Sequence, residues 1–250
     1  MLISSGFSLF FSKINIPFNK IVYIKPEQTV NELGQVLKDE KLINSKFLFK
    51  LLLKLTGNDK KIHHGEYLFE GRVSKLDIIE KIINGKYYFR KIIIPECSSS
   101  KDILEIVNNN NYLKGTLANL PLEETVFPDT YFFQRNDNKN ILISRMQRKM
   151  DDIVATIWRK NNNLIKSQED LINLASLIEA EAMDDYEKYI ISSVFYNRIK
   201  KGMKLQSDPT ILYYKNLKSK IKTRKIYKKD LLLDNPWNTY TRKGLPLTAI

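Results

Sequence analysis

The chain holds a single cysteine, so no disulfide can close within it, and a lone thiol is ordinarily a small buried apolar side chain rather than a nucleophile. Cys97 is therefore set aside as a catalytic group. Histidine is almost as scarce. The chain has two, adjacent at His63 and His64, whose side chains diverge with no third soft ligand near to close a zinc site. No metal and no other cofactor is expected. No internal repeat is present. The segment from Met1 to Phe11, ahead of Lys13, falls far short of the roughly 20 apolar residues that a helical membrane span needs.

The chain does have a 43% hydrophobic content over 250 residues, enough for one substantial core or two smaller ones, and its linker signals favour two. One part of its net charge of +13 is concentrated between Lys215 and Lys229. Lys215, Lys218, Lys220, Lys222, Arg224, Lys225, Lys228 and Lys229 follow one another without an acid. Such a run attracts nucleic acid or an anionic membrane face nonspecifically. Aromatic residues within it are too sparse to stack bases, so it reads as a solvated loop or hairpin and no specific nucleic acid is expected as a partner.

The order of elements predicts an α+β fold. Ile21–Ile24 reads as a short strand ending at Pro26, and Thr29 caps a helix carrying Val30, Leu33, Val36 and Leu37. Ser45 starts a second amphipathic helix through Phe47, Leu51, Leu52 and Leu55 to Gly57. Gly65–Phe69 alternates like a strand. Ser74 caps a third helix, Leu76–Ile83, closed by Asn84 and Gly85, and Tyr87–Ile94 is again β-like. Pro95 and Ser98–Ser100 mark a boundary before a helix over Asp102–Val107. Asn108–Asn111 and Asn161–Asn163 read as loops. In Phe127–Tyr131, a loop leading to a strand, Asp129 and Tyr131 are read as packing rather than as the lining of a cleft. Arg145–Arg159 reads as a long helix against the one that follows. The predicted organisation is a tail over residues 1–20, a small domain over 21–95 and a second over 96–250.

That following helix carries the chemistry. Leu171, Leu174, Ala175, Ile178 and Ala182 recur at three and four residue intervals after Ser167, with Asp170 placed to cap. At about 100° per residue, Glu179 and Glu181 fall on opposite flanks of the apolar stripe and cannot work as a pair on one bond. Glu181 lies beside Leu174, Leu177 and Ile178, Glu179 beside Ile172, Ser176 and Met183. A carboxyl among apolar neighbours keeps its proton to higher pH, as a general acid requires, which favours Glu181, with Glu179 second. Downstream, Gln206, Asp208, Asn238 and Tyr240 offer amides, a carboxylate and a ring suited to holding a polyol. The plain alternative is that both glutamates are solvated surface residues.

Leu174-Ala-Ser-Leu-Ile-Glu-Ala-Glu181, Ser193-Val-Phe-Tyr-Asn-Arg-Ile199, Gly202-Met-Lys-Leu-Gln-Ser-Asp-Pro-Thr210, Asn238-Thr-Tyr-Thr241 and Gly244-Leu-Pro246 resemble, in order and spacing, the endolytic peptidoglycan transglycosylases of the MltG or YceG-like family. Gly65-Glu-Tyr67, Ile94-Pro-Glu96 and Val126-Phe-Pro-Asp-Thr-Tyr131 resemble its upstream segments, so the likeness runs from about Ile21 to Ile250. It implies a LysM-like domain followed by a YceG-like catalytic domain, with Glu181 as the catalytic glutamate and Gln206, Asp208, Asn238 and Tyr240 as substrate-binding candidates. The implied reaction is non-hydrolytic cleavage of the β-1,4 bond between N-acetylmuramic acid and N-acetylglucosamine. The implied partners are peptidoglycan glycan strands and peptidoglycan synthases, at the periplasmic face of the bacterial inner membrane.

Departures from the family pattern carry their own expectations. Family members begin with a membrane-spanning helix and continue beyond the Gly-Leu-Pro segment, which implies a chain lacking anchor and terminal segment. An inactive glycan-binding or scaffold remnant is therefore the alternative function. Cys97 and Glu124-Thr125 stand where the family commonly has glycine, an exchange that costs little unless the backbone needs a positive φ.

Overall fold

A computed structural model of the chain describes residues 13–160, 164–219 and 223–250. The Asn161–Asn163 run, Lys220, Lys222 and the Met1–Phe11 segment lie outside them. The chain divides into two compact units, one up to Lys91 together with Phe132–Asp137, the other Ile92–Tyr131 with Asn138–Ile250.

In the first unit β1 (Lys13–Ile24) pairs antiparallel with β2 (Gly65–Ser74), Val22 opposite Tyr67 and Ile24 opposite Gly65, with an irregularity between Ile16 and Lys20. β1 thus begins at Lys13, inside the tail expected over residues 1–20, because cross-strand pairing with β2 recruits a segment whose own pattern is weak. Gly65 is required where it stands. Its φ is +144°, and a Cβ there would meet the Tyr87 ring at 2.8 Å.

Helices α1 (Val30–Asp39), α2 (Lys46–Leu55) and α3 (Lys75–Ile83) start where their caps predict: Thr29, Ser45 and Ser74 each accept a backbone N–H of the first turn. Leu33 and Leu37 of α1, Phe49 and Leu53 of α2, and Ile78 and Ile82 of α3 close a core over Val22, Ile24, Tyr67 and Phe69. The face of α2 departs from expectation, because Phe47, Leu51 and Leu55 are exposed. A helix that is apolar on almost every side can be turned inward by its neighbours on either face. The neighbour here is α1, where a Cβ on Gly34 would meet Lys46 at 3.2 Å and Phe49 at 3.3 Å.

The carboxylate of Glu66 is buried in this unit and held by the Arg90 guanidinium at 2.6 and 2.9 Å and by Arg135 at 3.3 Å. Charge pairing with a bidentate guanidinium offsets the desolvation of a buried carboxylate.

The predicted strand over Tyr87–Ile94 is shorter, β3 (Arg90–Ile93), and it pairs with β4 (Thr130–Phe133). Tyr131 is buried and donates its hydroxyl to the Phe127 carbonyl at 2.6 Å, and Asp129 bonds Lys149. Tyr131 therefore serves packing, as expected, while Asp129 is a partly exposed ion-pair partner.

The second unit is mainly helical. Ser99 and Asp102 form a capping box at α4 (Ser100–Asn108), and α5 (Lys139–Trp158) precedes α6 (Gln168–Glu181). There follow α7 (Asp185–Lys200), α8 (Asp208–Lys218) and the short α9 (Lys228–Leu232). α6 packs against α5, α7 and α8. Its Leu174 and Leu177 meet Ile165, Phe195 and Leu205 in a core that Trp158, Leu245 and Ile250 also pack against. The far segment is tied back to α6: Asn173 donates to the Pro246 carbonyl and the Ile250 amide to Ser176 Oγ, each at 3.1 Å.

Cys97 has a φ of +56° and Glu124 of +73°. The condition under which replacing glycine is costly is therefore met at both positions, each of which holds an L-residue in the left-handed region. Glu124 has a use there, since Oε1 accepts the Ala249 amide at 2.5 Å.

Candidate active site

α6 begins as its sequence predicts, Ser167 Oγ accepting the Asp170 amide at 3.0 Å, and ends at Glu181 with Ala182 in extended conformation. The two glutamates then meet different partners. Glu179 forms an ion pair with Lys188 of α7 at 2.9 Å, and Lys188 also reaches Asp185 at 2.9 Å. The hydrogen bonds it donates, to Glu179 first and then to Asp185, hold the Lys188 ammonium well above the usual lysine range. Glu181 is exposed, and its Oε2 accepts the Ser207 hydroxyl at 3.0 Å.

The expected environment of Glu181 is thus corrected. Leu174 and Leu177 turn into the core, while Glu181, on the last residue of the helix, points out of it. Polar contacts, not apolar neighbours, distinguish the two carboxyls.

Ser207 is 1% exposed and sits at the N-cap of α8, yet its side chain makes no capping bond. Its hydroxyl is committed to Glu181 instead. Its position is fixed by backbone contacts: its amide donates to Thr239 Oγ1 at 3.0 Å and its carbonyl accepts the Thr210 hydroxyl at 2.6 Å. With that proton spent, Thr210 Oγ1 accepts from Thr239 Oγ1 at 3.1 Å, because a hydroxyl has one proton to donate. The Gln206 amide adds a bond to the Thr239 carbonyl at 3.1 Å. The 206–210 and 238–240 segments are joined beside the carboxyl by buried hydroxyls.

Tyr240 donates its phenol to Asp208 Oδ1 at 2.5 Å. Burial first, then that bond and the charges of Asp208 and Glu181, push the phenol up to about 12, against the opposing Arg198. It keeps its proton at any working pH. Asp208 and Tyr240 therefore stand together near Glu181, as sequence-predicted site residues. Gln206 is exposed on the same turn with a φ of +51°.

Asn238 is different. It is fully buried; its Nδ2 donates to the Leu231 and Leu233 carbonyls at 3.0 and 2.8 Å, and its Oδ1 accepts the Tyr240 and Thr241 amides at 2.8 and 3.2 Å. Every hydrogen-bonding position of the amide is used inside the chain, so Asn238 shapes the loop that carries Tyr240 and cannot face a ligand. Arg198 donates to the Leu205 carbonyl.

Ser207, Thr210 and Thr239 were not among the candidates. A serine before Asp-Pro reads as an ordinary helix cap, and only the third dimension shows its hydroxyl turned elsewhere.

Of the basic run, Lys215 bonds Asp230 at 2.5 Å and the Lys225 carbonyl at 2.8 Å, and Lys218 lies over the Tyr214 ring. Among the described residues no cluster of His, Cys, Asp and Glu is arranged to hold a metal ion, and no helix is long and apolar enough to cross a membrane.

Comparison with known proteins identifies relatives of the chain. The chain is 39% identical over 146 residues to the endolytic murein transglycosylase of Bacillus subtilis (strain 168), a match covering 58% of this chain and 39% of that protein. It is 32% identical over 136 residues to the protein of the same name from Streptococcus pneumoniae serotype 2, covering 53% and 24%. The chain spans at most about two fifths of the length of the curated relatives it matches. A crystal structure of a yceG-like protein from Listeria monocytogenes aligns over 92% of this chain and 85% of its own, with a TM-score of 0.53 at 26% identity. The model of the YceG-like family matches residues 22–250, and the chain belongs to that family.

Proposed function

We propose that the chain is part of an endolytic murein transglycosylase and that Glu181 is its single acid and base. The observation that carries this reading is the exposed Glu181 carboxyl oriented by the buried Ser207 hydroxyl, next to the Tyr240 phenol that donates to Asp208. Hydrolysis of a glycosidic bond commonly takes two carboxylates; a lytic cleavage takes one, because the substrate supplies the nucleophile. Glu181 gives its proton to the glycosidic oxygen as the bond from that oxygen to the anomeric carbon of N-acetylmuramic acid breaks. The C6 hydroxyl oxygen of the same sugar bonds to that carbon, and its proton passes to the Glu181 carboxylate. A 1,6-anhydro ring closes and the acid is regenerated.

Gln206, Asp208 and Tyr240 are proposed to contact the polyol beside the bond, with Asn238 holding their loop. Residues 21–95 would supply a LysM-like module for the strand, and the setting would be the periplasmic face of the membrane with synthases near.

Glu181→Gln keeps shape and removes the transferable proton. Release of 1,6-anhydro ends from purified sacculi is expected to fall at least about 10²-fold, with Glu179→Gln close to the parent. The reverse pattern would transfer the role to Glu179. Glycan binding with no anhydro product from the parent chain would establish the silent remnant instead.

A further inference from the structure

Helix α2 turns a second hydrophobic face outward. Phe47, Leu51 and Leu55 follow one another at four-residue spacing and are 71%, 42% and 76% exposed, while Phe49 and Leu53 enter the core. Beside them runs a second row of the same spacing, Lys46, Lys50 and Lys54, also on the exposed side. The helix, Lys-Phe-Leu-Phe-Lys-Leu-Leu-Leu-Lys-Leu, has no acid to neutralise it. Residues four apart stack along one ridge, so an apolar ridge and a cationic ridge lie side by side along the whole helix.

An exposed apolar row rimmed by charge marks a surface that something covers. The adjoining cationic row selects what that is. A second copy of the chain would bring like-charged rows together, which is unfavourable, and nothing in the lysine row matches a neutral protein groove. An anionic bilayer satisfies both rows at once. Apolar side chains enter the boundary between headgroups and acyl chains, and lysine stems lie along the surface with their amines at the phosphates. We propose that α2 is a docking surface for an anionic lipid bilayer, lying in the plane of the interface. The proposal stands on this helix alone and does not require the murein reading.

The test is co-sedimentation of the full chain with extruded vesicles of phosphatidylcholine alone, and of phosphatidylcholine and phosphatidylglycerol in equal parts. Binding is expected to the anionic vesicles only and to weaken with salt. Each lysine at an anionic surface contributes about fivefold to partition, so Lys46→Gln, Lys50→Gln and Lys54→Gln together should lower it about 10²-fold. Phe47→Ser, Leu51→Ser and Leu55→Ser together should lower it by a similar factor, with unchanged circular dichroism because none enters the core. Lys215→Gln, Lys218→Gln, Lys225→Gln and Lys228→Gln together should lower it less than either α2 variant does, because that run attracts an anionic face only nonspecifically.

Failure of the parent to bind anionic vesicles would overturn the proposal, as would parental binding by both α2 variants. Loss of binding on neutralising the 215–229 run, with the α2 variants unaffected, would assign membrane attraction to that run instead. A dimer in sedimentation equilibrium that the serine variant converts to a monomer would make the face a contact between copies.

Discussion

The Ser207 hydroxyl stands at the head of α8, where its oxygen could have accepted a first-turn N–H and stabilised the helix by about 1 kcal/mol. It makes no such cap; its proton is turned to Glu181 and holds the carboxyl. Ser207→Ala should therefore lower turnover on glycan strands about tenfold, the worth of one such bond near a charged group, with little change in Tm. A large fall in Tm with unchanged kcat would mean the hydroxyl only packs. At this scale the residue types of the site were legible and their duties were not. Glu181, Asp208 and Tyr240 converge as the motif order implied. Asn238 has the same chemistry as a sugar-binding amide, yet it is consumed by four backbone partners, and no local pattern records where a loop's carbonyls will point.

Element starts were more legible, because a cap is written within a few residues. Thr29, Ser45, Ser74, Ser99 and Ser167 all bond the first turn they precede. Which side of a helix faces in is a tertiary decision, and α2 shows the limit: leucine or phenylalanine stands on most of its circumference, so periodicity alone could not choose between Phe47, Leu51 and Leu55 and the pair Phe49 and Leu53. The two faces make opposite forecasts. Leu53→Ala, at 1% exposure, should cost about 2–5 kcal/mol in denaturant unfolding. Leu51→Ala, on the outer face, should stay within about 0.5 kcal/mol. Similar costs at both positions would mean the outer face is covered in solution. Strand extents were the least legible. Lys13–Lys20 joins the ladder through β2, and Tyr87–Phe89 drops out of β3, both through partners distant in sequence.

Across the molecule, the Glu124 carboxyl gives a pH dependence of definite sign. Burial, outweighing its bond to the Ala249 amide and aided by nearby Glu169, Glu123 and Asp170, raises it above its ordinary value of 4.5. The folded state then binds the proton more tightly than the unfolded one, so this group's contribution to stability falls as pH rises from the unfolded toward the folded value. Glu124→Gln can still accept the Ala249 amide and carries no charge. Its Tm should exceed the parent's at neutral pH, and the difference should vanish below about pH 4 as both side chains become neutral. A gain that persists in acid would assign the effect to packing.

The Arg135 contact to Glu66 carries a different kind of consequence. The residues that complete the first unit return to it as Phe132–Asp137, after a stretch that belongs to the second. Such a unit cannot be moved between genes as one contiguous cassette. A single crossover near Pro95 would deliver Glu66 with Arg90 but without Arg135, and would leave Asn136 behind, parted from the Tyr23 hydroxyl to which it donates at 2.8 Å. Exchange of this unit requires two coordinated recombination events, so the interleaving of the chain constrains its two halves to be inherited together.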